Sequence, residues 1–471
     1  MRKMRNGIEV RVGRARCVSV AILLLTAVHA PLLAQDATDS RAIVDRLDRL
    51  ERQNQALTEE VRQLREQLKA LQATATPPPA APLAAPSNTE DALAIQQARI
   101  DEQEQSKVEA AHKLPIRITG MALFNAYSDN HADAGLYSGT AASTPGRAAA
   151  GGSLNESIVG LEFQNPNTVL GASVHGDLFV DFFGSTNSSS GNSYGSWPMP
   201  RLRTGTITLD WVTRSVMVGV EKPLVSPYNP DSFAQVGVPA LSGSGNLWFW
   251  EPQARFEQRL KFSENNSLRL QAALFTSHET SNYVATEYAP TLAPTRPAWE
   301  GRLEFAHSGT EDTGFHIGTG FHFGETHVAG QSVTSDLFSL DARLQLARWW
   351  NLTGTMFTGE NLAGIGGSGQ GFTILYDQIA IPVHSTGGWL QLTLSPTERL
   401  SFHFFGGAQN NRQADLRGDA IGSNASYAGN IYYRLAPNIF AAFEAARTRT
   451  DWTVSGLRLR NQYDISLAYL F

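Results

Sequence analysis

The C-terminal stretch, residues 457–471, constrains the fold of this chain more than any other. Alternate residues of the stretch form an apolar row, interrupted only by Asn461, which consists of Leu457, Leu459, Tyr463, Ile465, Leu467, Tyr469 and Phe471. The opposite face is polar or charged and comprises Arg458, Arg460, Gln462, Asp464 and Ser466. This alternation predicts a β-strand with one apolar face. Strands of globular proteins run about 5–6 residues, whereas a tilted membrane-spanning strand takes roughly 9–11. The length therefore favours a membrane strand over its alternative, the terminal strand of a soluble β domain.

The composition excludes several other classes of protein. Of the 471 residues 42% are hydrophobic, but no apolar run of about 18 residues follows the N-terminal region, which excludes a membrane protein built from helices. Apolar residues diluted by alternation suit a membrane barrel, and the length fits one barrel with many strands. The net charge is -6. Because proteins that bind nucleic acid carry clustered basic charge, no nucleic-acid partner is expected.

Residues 1–34 have the pattern of a secretory signal peptide. A basic region precedes an apolar run over residues 18–25, and small residues follow. The residues concerned are Arg11, Arg14, Arg16, Ala27, Ala30 and Ala34. Cleavage is expected after Ala30 or Ala34. The single cysteine, Cys17, lies within this segment, so the mature chain is expected to have no disulfide and no cysteine metal site.

Residues 35–72 carry a heptad pattern that predicts a periplasmic coiled coil. Its seam alternates between spacings of four and three residues and is formed by Ile43, Leu47, Leu50, Asn54, Leu57, Val61, Leu64, Leu68 and Leu71. Such a seam predicts parallel self-association, and Asn54 at an a position would set the register of the helices. The mixture of Leu and Val at the a positions leaves two or three helices open. The alternative is one amphipathic helix packed on its own domain, although its apolar face would be wider.

Two further segments separate the coiled coil from the barrel. Residues 73–88 are rich in Pro and Ala and predict a semi-rigid linker. Thr89, Glu90 and Asp91 then open a polar helix predicted over residues 89–113. The sequence leaves open whether this helix extends the stalk or enters the barrel, which is assigned to residues 114–471.

From residue 114 onward, alternation recurs between connections of two lengths. Short turns are predicted near residues 165–167, 213–215, 264–266, 309–311, 348–350, 396–398 and 437–438. Long connections rich in Gly, Ser, Pro and Asn are predicted at 128–153, 184–202, 223–249, 279–297, 325–335, 361–383, 409–423 and 450–457. Short turns on one rim and long loops on the other are typical of outer-membrane barrels. The pattern predicts an all-β transmembrane barrel of about 16 antiparallel strands with both termini in the periplasm.

Alternation also assigns the faces of several strands. The predicted lipid-facing residues include Phe256, Leu260, Phe262, Leu268, Leu270, Leu274, Phe338, Leu340, Leu344 and Leu346. The residues between them face the lumen. A barrel of about sixteen strands is expected to enclose water rather than a packed core.

The connection 223–248, after the fifth strand, is the first candidate functional segment. It carries Tyr228, Asp231, Phe233 and Gln235 among several prolines. A loop of this length can fold into the lumen, and these four residues are therefore the predicted constriction. The alternative is an external loop packed on the rim or on a neighbouring protomer.

Inward-facing basic residues are the second candidate. The predicted basic track consists of Arg117, Arg255, Arg259, Lys261, Arg269, Arg302, Arg343, Arg458 and Arg460. Of these, Arg117, Arg458 and Arg460 are expected to meet where the first and last strands close the barrel. Positive potential along the track would concentrate anionic solutes. Acidic residues are interspersed, so a lumen neutralised by mutual salt bridges is the alternative, and only a weak anion preference is expected.

No residue pattern indicates catalysis or a cofactor. His316 and His322 share an inward face, but no cysteine or carboxylate follows at ligand spacing, so no metal site is predicted. Hydrolysis would need Ser, His and a carboxylate together, and no local signature selects three such residues. The chain is therefore expected not to be an enzyme.

These features together resemble a family of membrane proteins. The signal peptide, the heptads of LDRLERQNQALTEEVRQLREQLKALQ, the alternating strands and the terminal Phe471 are similar to trimeric outer-membrane porins with an N-terminal coiled coil, the phosphate-selective-porin-like and DcaP-like families. The segment WEPQARFE, Trp250–Glu257, is similar to the Arg-bearing strand that follows the constriction loop in the DcaP-like group. Lysines are sparse in the barrel, unlike in the phosphate-selective members.

The resemblance implies a trimer in the bacterial outer membrane, in contact with lipid, that allows passive diffusion of small hydrophilic, anionic solutes. The rival hypothesis is a structural protein whose coiled coil tethers the membrane to peptidoglycan, with the pore incidental.

Overall fold

The structure is a computed structural model, which describes residues 116–132, 140–142, 147–184, 199–277, 287–294, 297–309, 312–375 and 378–471. The predicted signal peptide, the coiled coil with Asn54, the linker and the polar helix lie outside these residues and stay predictions. Within the described ranges, no helix is long and apolar enough to cross a membrane.

Strands account for most of the described residues. In chain order they are β1 (Ile116–Ala132), β2 (Arg147–Ser153), β3 (Ile158–Gln164), β4 (Ser173–Gly184), β5 (Met199–Asp210), β6 (Arg214–Glu221), β7 (Glu251–Lys261), β8 (Asn266–Phe275), β9 (Ala293–Pro294), β10 (Ala298–Ser308), β11 (Gly314–Val328), β12 (Gln331–Ala347), β13 (Trp350–Glu360), β14 (Phe372–Ile374), β15 (Ala380–Pro382), β16 (His384–Leu394), β17 (Leu400–Asn411), β18 (Ile421–Ala436), β19 (Ile439–Trp452) and β20 (Gly456–Leu470). Short 3-10 helices occur at Ala289–Thr291, Ala363–Ile365 and Gln413–Asp415.

The strands form a closed antiparallel barrel. One sheet contains 18 strands, and β14 and β15 form a separate hairpin. β2 and β3 both pair with β1, while β9 and β10 both pair with β11, so each couple is one interrupted wall strand. The described residues therefore form 16 wall strands, which confirms the predicted number. The barrel closes between β1 and β20, where Met121 pairs with Leu470 and Asp129 with Gln462.

The chain's last residue belongs to this closure. The Gly120 amide donates to the Phe471 carbonyl at 3.0 Å, and the Phe471 amide donates to the Gly120 carbonyl at 3.1 Å. A Cβ at position 120 would lie 2.8 Å from the Phe471 ring and 2.3 Å from the Ile158 carbonyl oxygen. Glycine at position 120 therefore lets the terminal aromatic ring lie against the wall.

The outer face of the wall is apolar, as the alternation predicts. Of the predicted lipid-facing residues, those with large exposed side chains are Phe256, Leu260, Phe262, Leu270, Leu274, Phe338, Leu340 and Leu346. Alternate residues such as Ser339 and Asp341 point into the barrel and are buried there. Apolar side chains are thus exposed on the side that lipid would cover.

Two of the long connections expected from composition are wrong. Between β11 and β12, where residues 325–335 were expected to form a loop, only Ala329 and Gly330 separate the strands. Their φ angles are 52° and 75°, the left-handed backbone that a two-residue hairpin turn requires and that glycine adopts without strain. Similarly, residues 450–457 reduce to a short turn between β19 and β20, because both strands continue beyond the length that crosses a membrane.

Candidate functional site

The long connection between β6 and β7, residues 222–250, lies inside the barrel. We call it loop L3. Strand β6 has only 8 residues, so the chain leaves the wall before it reaches the outer rim. From there L3 contacts nearly the whole inner circumference. Its hydrogen-bond partners on the wall are Asn125, Glu156, Arg201, Arg203, Glu300, Gln391, Asn424, Asn430 and Glu444.

On one side of the lumen, buried polar side chains hold L3. The Asn125 amide donates to the Phe233 carbonyl at 3.0 Å, and the Val236 amide donates to the Glu156 carboxylate at 2.9 Å. The Ser232 hydroxyl donates to Glu444 at 2.7 Å. Hydrogen bonds to ionised or strongly polar buried groups are costly to leave unmade, so these contacts fix the height of the loop.

On the other side, apolar packing holds L3. Val225 and Leu247 of the loop form one buried cluster with wall residues that include Phe275, Leu337 and Phe357. These wall residues face inward, where a water-filled lumen would be expected to have polar side chains. Their burial against L3 explains the exception, because the loop rather than water covers them.

Glycines let the loop backbone reach the wall. A Cβ at Gly407 of β17 would lie 2.3 Å from the Ser244 carbonyl oxygen of L3 and 2.8 Å from Cβ of Trp389. Real Cβ atoms do not approach a carbonyl oxygen this closely, so a side chain at position 407 would displace the loop.

The predicted constriction residues all lie on this internal loop, and not on the external loop that was the alternative. The Phe233 ring stacks on Tyr432 with centroids 4.4 Å apart. Asp231 accepts from the Gln391 amide at 2.5 Å and keeps 58% of its side chain exposed to the lumen. Tyr228 packs against the buried cluster around Trp389. Burial raises the pKa of the Tyr228 hydroxyl, so it stays neutral.

Gln235 has a local role. Its backbone amide donates to the Ser232 hydroxyl at 3.1 Å and closes a turn of the loop.

Four basic residues lie close together at the two ends of L3. We call them the basic cluster: Arg201 and Arg203 of β5, Lys222 of L3 and Arg255 of β7. Burial lowers the pKa of the Lys222 ammonium, Glu221 opposes this change, and the neighbouring Arg203 and Arg255 lower it further. The Arg255 guanidinium also donates to the Lys222 carbonyl at 2.8 Å. The cluster therefore brings several like charges within electrostatic reach of one another.

The carboxylate that pairs with the two arginines lies behind them. Asp181 of β4 accepts from Arg201 at 2.6 Å and from Arg203 at 2.9 Å, and its side chain is 0% exposed. Glu221, the carboxylate that acts on Lys222, is half-buried. The side chains of Arg201 and Arg203 remain 27% and 14% exposed. Two guanidiniums thus share one buried carboxylate and present positive charge to the lumen.

An aromatic surface completes the cluster. The Cζ atoms of Arg203 and Arg201 lie 4.5 and 5.3 Å from the Trp250 ring centroid, and Arg201 also lies 5.2 Å from that of Phe183. In L3, the Gly237 carbonyl accepts from Arg201 at 2.5 Å and the Val236 carbonyl accepts from Arg203 at 2.8 Å. Stacking and hydrogen bonds of this kind hold the planar guanidinium groups in fixed orientations.

Most of the predicted basic track is neutralised by neighbours. Arg302 is buried and bonded to Asp341 at 2.6 Å and Glu304 at 2.5 Å. Arg269 also binds Glu304, at 2.5 Å. Further pairs join Arg259 to Asp210, Arg460 to Asp129 and, at 3.9 Å, Arg117 to Glu162. For these residues the structure has the salt-bridged lumen that was the alternative.

The remaining track residues are more accessible. Arg343, together with Lys222, Tyr228, Asp231 and Gln391, lines a cavity of about 480 Å³ beneath L3. Lys261 lines a second cavity of about 510 Å³ near the periplasmic rim. Neither Arg343 nor Lys261 has an ion-pair partner among the described residues. Arg255 belongs to the basic cluster, and Arg458 lies at the outer end of β20.

The expected meeting of Arg117, Arg458 and Arg460 does not occur. In the β1–β20 pairing, Arg117 lies beyond Met121 at the periplasmic end, whereas Arg460 lies beyond Asp129 at the outer end. Antiparallel register places residues from the start of the first strand beside the end of the last strand, so these arginines are at opposite rims.

Arg201, Arg203 and Lys222 are not among the residues predicted from the sequence. Arg201 lies at the edge of residues 184–202, whose Gly and Ser content predicts a loop. The register shift between β4 and β5 near Phe179 and Val180 then changes which residues of β5 face inward. The Arg-x-Arg pattern of 201–203 was the available signal. No group of His, Cys, Asp and Glu in the described ranges has a geometry that would hold a metal ion.

Solved outer-membrane proteins have a similar fold. No family model and no curated protein matches the sequence. The structure is similar to the outer-membrane channel DcaP of Acinetobacter baumannii, with 14% identity, a TM-score of 0.61, and 76% of this chain and 97% of that chain covered. It is also similar to an anion-selective porin from Comamonas acidovorans, with 12% identity, a TM-score of 0.50, and 76% and 99% covered. The described residues therefore have the barrel fold of outer-membrane porins, which confirms the predicted resemblance at the level of fold.

Proposed function

We propose that this protein is a passive diffusion channel of the bacterial outer membrane for small hydrophilic solutes, with a preference for anions. The observation that carries the proposal is the basic cluster, in which Arg201 and Arg203 are partly exposed where L3 narrows the lumen while their partner Asp181 is buried. The fold supports the first part, since barrels of this size enclose a route for water and solutes.

The basic cluster would act through potential and through hydrogen bonds. A solute in the lumen is surrounded by low-dielectric walls, so unscreened positive charge raises the local concentration of anions. Guanidiniums held in place by Trp250 and by L3 carbonyls offer N–H donors that replace part of the water lost from an anion. Because several contacts of moderate strength are available, an anion would bind briefly and leave.

The two similar solved structures support the proposal in general terms. The DcaP structure is described as an outer membrane channel, and the Comamonas acidovorans protein as an anion-selective porin. At identities of 14% and 12% these descriptions suggest which property to measure, and they do not identify the solute.

Planar bilayer recordings across a salt gradient test the proposal. We expect the reversal potential to indicate anion preference, and we expect the Arg201→Gln/Arg203→Gln variant to reduce that preference. A matched control is Arg214→Gln, because Arg214 lies on the outward face of β6 and stacks on Trp211. A cation-selective wild-type channel would overturn the anion preference, and the absence of any conductance would overturn the channel itself.

We also propose that the protein assembles as a trimer and that its N-terminal coiled coil stands in the periplasm. Both proposals depend on the heptads of residues 35–72, outside the described part of the chain. Deletion of residues 43–71 tests the rival tether. A channel would keep its conductance without this segment, whereas a tether to peptidoglycan would lose its attachment and release membrane vesicles.

A further inference from the structure

The outer wall carries an unusual pair of charges. The inward residues of β19 are identified by their burial, since Glu444, Thr448 and Thr450 all lie within the barrel. The alternate residues Arg447 and Arg449 therefore point outward, and both are exposed. On this same face, closer to the periplasm, the strand has Ala441, Phe443 and Ala445, as expected for contact with lipid tails. Two adjacent arginines interrupt the apolar wall.

The height of this pair corresponds to the lipid headgroups. Strand β19 starts at Ile439 after a two-residue periplasmic turn, so Arg447 is its ninth residue and Arg449 its eleventh. A tilted strand crosses the hydrocarbon region in about 9–11 residues. Arg447 and Arg449 thus lie at the boundary of the outer leaflet.

The neighbouring strands have residues suited to the same boundary. Arg447 pairs across strands with Tyr427 of β18 and with Asn461 of β20. Tyr427 and Tyr463 are 57% and 53% exposed. Tyrosine rings with one apolar and one polar end settle at the membrane interface, which agrees with the position estimated from strand length.

The guanidiniums of the pair are available to a ligand. Neither Arg447 nor Arg449 makes an ion pair or a side-chain hydrogen bond with another described residue of this chain. Asp451, farther from the membrane midplane on the same face, does not form an ion pair with either. Arginine binds phosphate through several N–H donors in a fixed geometry.

We infer that Arg447 and Arg449 form a binding site for the phosphate groups of a glycolipid in the outer leaflet. The rings of Tyr427 and Tyr463 would flank the phosphates, and Phe443 would contact the acyl chains below. This site needs the barrel to span the outer membrane, but it does not need the lumen to conduct.

Native mass spectrometry of the full mature chain in detergent tests the site, with bisphosphorylated lipid A as the probe. We expect the wild-type protein to bind this lipid about thirtyfold more tightly than lipid A without phosphates, because the arginines act on the phosphates. Each basic residue near an anionic lipid surface contributes to the free energy of binding. The Arg447→Gln/Arg449→Gln variant should therefore bind bisphosphorylated lipid A about thirtyfold more weakly. The Arg447→Lys/Arg449→Lys variant should bind more tightly than the Gln variant but more weakly than the wild type, because lysine keeps the charge and lacks the paired N–H donors. Arg214→Gln, an outward change at the opposite rim, should retain all of the binding.

Two outcomes would overturn the site. The first is equal binding of lipid A with and without phosphates. The second is unchanged binding by the double Gln variant. A change of oligomeric mass in that same case would assign the arginines to contact with another copy of the chain. Heat-modifiable migration in gels verifies that each variant is folded, because a closed barrel migrates differently from the unfolded chain.

Discussion

The ring of Phe233 in L3 stacks on the ring of Tyr432 in the barrel wall, with centroids 4.4 Å apart and planes inclined by 12°. Phe233 also meets Phe440 edge-on at 6.1 Å. These rings belong to residues almost two hundred positions apart, and they fix the middle of the loop to the strands on the far side of the lumen. The middle of L3 is therefore held by contacts that are not part of any strand pairing.

Replacing Phe233 with Ala should loosen L3 without preventing barrel formation. The stacked pair contributes about 0.5–1.5 kcal/mol beyond the burial of its area, while the hydrogen-bonded wall is unaffected. We expect larger and noisier single-channel conductance. Phe338→Ala, a change of the same size on the lipid-facing wall, is the control. An unchanged conductance for Phe233→Ala would show that the stack does not hold the loop.

Replacing Asp181 with Asn should change both stability and selectivity. Removing one partner of a buried ion pair costs about 3–5 kcal/mol, so the midpoint of thermal unfolding should fall. The charge of Arg201 and Arg203 would then be unbalanced, and anion preference in bilayer recordings should increase. The matched change Asp210→Asn removes a more exposed pair with Arg259 and should cost at most about 1 kcal/mol. A decrease in anion preference for Asp181→Asn would contradict the role of the basic cluster.

Anion preference should fall as the pH rises through the pKa of Lys222. Burial and the neighbouring Arg203 and Arg255 lower this pKa from the usual 10.5, so the ammonium loses its proton and its charge at a lower pH than an ordinary lysine. Reversal potentials measured from pH 7 upward should show this step, and Lys222→Gln should abolish it. If Lys261→Gln rather than Lys222→Gln removed the step, the titrating group would be the rim lysine.

Adding one methyl group at Gly407 should displace L3. A Cβ there would meet the Ser244 carbonyl at 2.3 Å, and the wall cannot yield because Trp389 lies 2.8 Å away. We expect Gly407→Ala to reduce the yield of heat-modifiable barrel, or to raise conductance if the loop moves. Gly422→Ala, whose nearest atom is 3.4 Å away, should behave like the wild type. Normal yield with normal conductance for Gly407→Ala would show that the loop tolerates the shift.

The wall of the barrel was predictable because its information is local. In each strand a period of two separates lipid from lumen, so residues such as Phe256 and Phe338 show their face within a few positions of sequence. The number of strands followed from counting these segments. The wrong predictions concerned the connections. Residues 325–335 are polar and contain glycine, which predicts a loop, but they belong to two long strands joined by the turn at Gly330. The part of a strand that extends above the membrane contacts water on both faces, so it needs no apolar face.

The sequence by itself determined the barrel, its number of strands, its lipid-facing side and a loop with the length to enter the lumen. Only the tertiary structure decided which basic side chains are fully neutralised and which share a carboxylate and leave positive charge facing the lumen. Arg302 is neutralised by Asp341, 39 positions away, whereas Arg201 and Arg203 share Asp181 on a neighbouring strand. Two charged side chains neutralise each other only when they lie within a few ångströms. The register between strands and the position of L3 set these distances, and the residue pattern of a single strand does not predict them.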